Sequence, residues 1–189
     1  MTNALPARQQ ALELLKTHVK NENMLRHCLA SEAVMRALAP RFNADAELWG
    51  LAGLLHDIDI EVINGDLSVH GAKAQTMLEA AGYPAELALA VKMHNEQAAG
   101  AKRADTFHKA LAAAETIAGL ITATTLVYPD KKLASVKTKS VVKRMNEKNF
   151  AASVNRGIIM ECEQIGIPLA EFAEIAVGAM RQIAGELGL

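Results

Sequence analysis

The chain has 189 residues, enough for one domain with an extension, and 51% of them are apolar while only 4% are aromatic. That balance supplies a substantial core and favours helices over sheets. With 20 basic against 21 acidic residues, overall charge implies neither a nucleic-acid partner nor a membrane surface. Cys28 and Cys162 stand alone in helical patterns without a CxxC pair, which argues against a cysteine-based zinc site and for two free thiols in a reducing cytoplasm.

Residues 1–16 lack a basic segment followed by an apolar core, so no signal peptide is expected. Leu12, Leu15 and Val19 form the first helical stripe. Asn21-Glu22-Asn23 interrupts it and can cap a helix over residues 24–38, with Met24, Cys28, Ser31, Met35 and Leu38 on one face. Asn43 and Asp45 mark a new start, followed by an apolar run that ends at His56-Asp57-Ile58-Asp59. Asn64-Gly65-Asp66 reads as a turn. Ser68 is the expected cap of a helix reaching Ala81, which Gly82 stops. Pro84 opens the next helix, which ends near His94. Residues 95–106 read as a loop, and Asp105 or Thr106 caps a long helix over 107–127. Its weakly charged surroundings contain Glu115, Gly119 and several threonines, so it reads as a buried helix rather than a membrane span. Tyr128-Pro129-Asp130 is a break. Two further helical patterns, 154–165 and 169–187, meet at a Gly166-Ile167-Pro168 corner. The expectation is an all-α bundle without repeats or strands.

His56-Asp57 follows the apolar run Leu51-Ala52-Gly53-Leu54-Leu55, an unusual place for two metal-ligating side chains. His27 flanks the stripe of its helix, His70 stands before Gly71, and His94 shares a face with Leu87 and Val91. Glu115 is the only charged residue between Lys109 and Asp130. A carboxylate there needs a partner, unless that face of the helix is the solvent face. Together these side chains offer nitrogen and oxygen donors from separate helical segments. Such donors suit iron, manganese, zinc, nickel or cobalt better than calcium.

In this order, His27, His56-Asp57, His70, His94 and Glu115 resemble the HD superfamily of metal-dependent phosphohydrolases over about residues 20–128. The mononuclear pattern of that superfamily is a His, a His-Asp pair and a later Asp. Dinuclear members, such as dinucleoside polyphosphate hydrolases and HD-GYP phosphodiesterases, insert two more histidines, as His70 and His94 are placed here. The resemblance implies an HD-domain bundle over 1–128 with a helical extension over 129–189, and a site for one or two divalent transition-metal ions. Asp57 would bridge them, with His27, His56 and Glu115 on one side and His70 and His94 on the other. Asp57 and Asp59 are the expected catalytic carboxylates, with Asp59 or Glu96 holding a histidine N–H or carrying a proton. Two departures stand out. Glu115 occupies the position of the usual Asp. Asp59-Ile60 follows the His-Asp pair where HD-GYP members have Gly and then Lys, and the GYP signature is absent, which argues against cyclic-dinucleotide hydrolysis.

Phosphate substrates need cations. Lys102 and Arg103 follow His94, and Lys131 and Lys132 open a basic stretch that runs to Lys148. These are the expected substrate contacts, against the alternative of a solvated basic face. With only Phe150 nearby, stacking on single-stranded nucleic acid is not expected. The sequence therefore points to a cytoplasmic hydrolase of a nucleotide or other small phosphate ester. The alternative is a non-catalytic HD domain that binds metal or nucleotide as a sensor or interaction module. The helices of 150–189 either cover the core or form a homodimer face.

Overall fold

The computed structural model describes residues 5–189; the first four residues, where the expected amino-terminal domain begins, lie outside the described residues. No strand occurs among the described residues. Four helices surround the site: α2 (Glu22–Leu38), α3 (Ala46–Leu55), α5 (Ala85–Met93) and α7 (Thr106–Leu126), with α1 (Arg8–His18) against α3 and α4 (Ala72–Ala80) against α5.

The main helices start where side-chain oxygens satisfy their first N–H groups. Asn21 accepts from Asn23 and Met24, Asp45 from Glu47 and Leu48, and Asp105 from Phe107. Along α3, Trp49 to Leu55 are all buried, so the helix lies within the core and its end delivers whatever follows to the interior. Most of α7 is buried too. No helix among the described residues is long and apolar enough to cross a membrane.

Besides a single helical turn, α6 (Glu96–Ala99), within the expected loop 95–106, the structure departs from expectation in three places. The helix expected from Ser68 begins at Ala72. Ser68 instead donates its N–H and hydroxyl to Asp66, and Gly71 turns the chain with φ 84°, a conformation that suits glycine. Second, the basic stretch contains a short helix, α8 (Thr138–Arg144). Its core contact is Val141, while Lys137, Lys139 and Lys143 are exposed. Third, the pattern over 154–165 splits at Met160 into α9 (Arg156–Ile159) and α10 (Glu161–Gln164). The long carboxy-terminal helix α11 (Leu169–Gln182) packs on α2, α7 and α8, and α12 (Ala184–Leu187) returns to α2. The carboxy-terminal helices thus cover the core.

Candidate metal centre

His56 ends α3, and His94 ends α5. The last carbonyls of a helix lack partners within it, and both rings use them. His56 Nδ1 donates to the Gly53 carbonyl at 2.8 Å, and His94 Nδ1 to that of Val91 at 2.5 Å. His70 Nδ1 donates to Asp59 Oδ1 at 2.8 Å. These partners fix the Nδ1 protons and turn each Nε2 to the interior, where its lone pair is free when the ring is neutral.

Asp57 lies between two imidazole pairs. Its Oδ2 is 3.3 Å from His56 Nε2 and 3.7 Å from His27 Nε2. Its Oδ1 is 3.1 Å from His70 Nε2 and 3.7 Å from His94 Nε2. The donor atoms of His27, His56 and Asp57 lie within 4.8 Å of one another, as do those of Asp57, His70 and His94. Each of these groups could hold a metal ion.

The spacing within the pairs tests that fit. His27 and His56 approach through their Nε2 atoms at 3.2 Å, and His70 and His94 at 2.9 Å. Two lone-pair nitrogens at that distance repel unless a cation lies between them. Nitrogen donors about 2.1 Å from one ion and 90–110° apart are about 3.0–3.4 Å from each other. The first pair sits at that spacing and the second about 0.1 Å inside its lower end, so the residues present fit a divalent ion in each group.

Burial sets the charge states of these side chains. It pushes His27 down to about 4 and His94 down to about 3, with the charge of His56 adding to both shifts. Burial also opposes a charged His70, but hydrogen bonds to Asp57 and Asp59 outweigh it and push that ring up to about 10. For Asp57, burial is overcome by His56 and by the hydrogen bond with His70, which hold its carboxyl well below the usual range. A proton on His70 therefore occupies the place of a cation at neutral pH, and an ion bound by His70 and His94 must displace it. Affinity in this group is expected to rise roughly tenfold per pH unit between pH 6 and pH 8, because one proton leaves for each ion bound. Calorimetric titration with Mn²⁺ at the two pH values checks this. An affinity independent of pH would remove His70 from the ligand set.

Asp59 is fully buried and holds a histidine N–H, one of the roles expected of it. Oδ1 accepts from His70, and Oδ2 accepts the backbone N–H groups of Gly71 and Ala74 at 2.8 and 2.9 Å. It thereby caps α4 from 12 residues before Gly71 while fixing the ring of His70. It has no path to the open side of the site. Asp59→Asn is expected to lower metal affinity at His70 and His94 by about 10–100-fold, the usual effect of changing a ligand's partner. A metal titration resolving the two groups would show the His27–His56 group unchanged.

Glu115 comes from α7 and approaches the first group, with Oε2 3.8 Å from His27 Nε2. Its other oxygen accepts the Thr116 hydroxyl. Burial pushes its carboxyl up to about 7, opposed by the charge of His56 and by the Thr116 hydrogen bond. No arginine or lysine pairs with it among the described residues. It stands beside the first group and outside both of the tightest donor sets.

Residues 24–128 match the HD domain family, so the chain belongs to that family, a superfamily of metal-dependent phosphohydrolases. No curated protein and no solved structure gave a match.

The expected substrate cations divide into Lys102 and Arg103, which line a cavity reaching His94, and Lys131 and Lys132, which do not. Arg103 is buried, and its guanidinium donates to Glu161 at 2.8 and 2.6 Å and to the carbonyls of Met93 and His94 at 3.1 and 3.0 Å. Those bonds tie α10 to the end of α5, making Arg103 a brace for the His94 backbone. Lys102 is exposed and pairs with Glu96 at 2.7 Å. Glu96 also accepts the Arg103 N–H, so it braces the loop and reaches no histidine ring. Lys131 and Lys132 are exposed in the turn after α7 and line neither cavity that borders the histidines.

Proposed function

We propose that this chain is a metal-dependent phosphohydrolase acting on a nucleotide or other small phosphate ester. The observation that carries the proposal is Asp57, whose two carboxylate oxygens each face a separate imidazole pair. When bound, divalent ions supply a water of lowered pKa and Lewis-acid contact to phosphoryl oxygens.

The remaining work falls to the chain. Asp57 holds the two histidine pairs at a fixed separation, and the Gly53 and Val91 carbonyls and Asp59 hold the rings. His56, His70 and His94 are buried, which excludes bulk water from that side. The side chain of His27 is 24% exposed and that of Glu115 19%, against 10% or less for the other four, so the site opens along the His27–Glu115 edge. Four neutral imidazoles and two carboxylates do not neutralise two divalent ions, so a loaded centre attracts a phosphate dianion. The buried free thiols of Cys28 and Cys162 fit a reducing cytoplasm.

One observation favours a second reading, a non-catalytic domain that binds metal or nucleotide: Glu115 stays outside both tight donor sets. A turnover screen of nucleoside mono-, di- and polyphosphates and simple phosphate esters with Mn²⁺, Co²⁺ or Fe²⁺ separates the two. The enzyme reading expects phosphate release on at least one of them. Full metal occupancy without turnover on any would leave the binding module.

A further inference from the structure

Two cavities border the histidine cluster, and their charges differ. The larger, about 780 Å³, reaches His94 and is lined by Glu96, Lys102, Arg103 and Glu161. Its cations are already neutralised, Lys102 by Glu96 and Arg103 by Glu161. An anion entering there meets two carboxylates, and both cations of the wall already face one of them. The smaller cavity, about 390 Å³, reaches His27 at the exposed edge of the site. Arg26, Thr122, Leu126, Leu187 and Leu189 line it; no acidic side chain does, and its one carboxylate is the main-chain terminus of Leu189.

Arg26 is exposed and makes no hydrogen bond or ion pair among the described residues. Every other arginine of the chain holds a carboxylate or a main-chain carbonyl. Its guanidinium runs beside Gly188, where an added Cβ would lie 3.4 Å from Arg26 Cζ. The one arginine without a partner among the described residues thus stands next to the most exposed of the grouped histidines, on the same helix and on the same cavity wall.

We propose that Arg26 binds the phosphoryl group of the substrate and that the cavity at His27 receives the organic part of a compact phosphate monoester. This rests on the phosphohydrolase reading above and narrows its substrate class. A guanidinium presents paired N–H donors that match two phosphoryl oxygens, which a lysine cannot reproduce. Leu126 and Leu187 supply an apolar wall for the ester group, and no aromatic side chain lines the cavity, so recognition does not depend on stacking a base. Its volume lies at the small end of ligand sites, which suits a monoester better than two nucleosides joined by a polyphosphate.

Inorganic phosphate is the probe, titrated calorimetrically into the Mn²⁺-loaded full chain. Wild type is expected to bind it, and Arg26→Ala to bind it roughly 10–100-fold more weakly, the range for a lost hydrogen bond to a charged group. Metal content stays the same, and Arg26→Lys recovers only part of the affinity. The double variant Lys131→Ala, Lys132→Ala keeps wild-type affinity. Equal phosphate binding by wild type and Arg26→Ala, with metal bound to both, overturns the role of Arg26 and leaves the phosphohydrolase reading standing. Absence of phosphate binding by metal-loaded wild type overturns both.

Discussion

Asp57→Ala is expected to empty both halves of the centre at once while leaving the helical content unchanged. The carboxylate is the only side chain that belongs to both donor groups, so its loss takes one ligand from each. It also removes the negative charge that lies between four imidazoles. Replacing the partner of a metal ligand costs about 10–100-fold in affinity, and removal of a ligand shared by two groups is expected to exceed that at both. The fold tolerates the change because Asp57 follows α3 in a turn, and its side chain faces the cluster rather than the core. His94→Ala supplies the contrast, since it removes a donor only from the group containing His70. Elemental analysis after dialysis, with far-ultraviolet circular dichroism on the same samples, checks both variants. Full metal occupancy in Asp57→Ala would falsify the assignment of Asp57 as the shared ligand.

The residues around this centre differ in how far the sequence exposed them. Local signals placed α2, α3 and α7, because Asn21, Asp45 and Asp105 cap their own helices within three residues. The start of α4 carries no local signal, since its capping carboxylate comes from Asp59, on the far side of a turn. No rule confined to neighbouring residues finds that partner, and Ser68 offered a plausible local substitute. The four grouped histidines and Asp57 stood out as a set because such side chains are scarce in an Ala- and Leu-rich chain. Their division into two pairs was implied by the family resemblance and not by spacing. Arg103 illustrates the opposite case. As a basic residue near His94 it read as a substrate contact, yet Glu161, 58 residues later, claims its guanidinium. Beside His27, Arg26 carries no sequence signal, because an arginine on an exposed helix face is ordinary. What distinguishes it is the absence of a partner, and that shows only when every other arginine has been placed.

Gly53→Ala is the substitution expected to damage fold and centre together. A Cβ at Gly53 would lie 2.7 Å from the Ser31 carbonyl oxygen, 2.8 Å from its carbon and 2.9 Å from Glu32 Cα. All three are backbone atoms of α2, so no rotamer change relieves the contact. The helices must separate, and overpacking of this kind costs about 3 kcal/mol. For a chain of this size that corresponds to a fall in Tm of roughly 6–12 °C. Gly178→Ala is the control: nothing lies within 4 Å of its added Cβ, and in the interior of α11 alanine is expected to stabilise by about 0.5–1 kcal/mol. The consequence for the site follows from which helices part. His27 rides on α2 and His56 on the end of α3, and their Nε2 atoms are 3.2 Å apart. Moving α3 away from α2 widens that pair, while His70 and His94 lie on other segments and keep their spacing. Below its melting range, Gly53→Ala is therefore expected to lose more affinity in the His27–His56 group, whose two rings part, than in the other, where only the shared Asp57 moves. A metal titration showing equal weakening of both groups, or none, would mean that this helix contact does not set the spacing of the first pair.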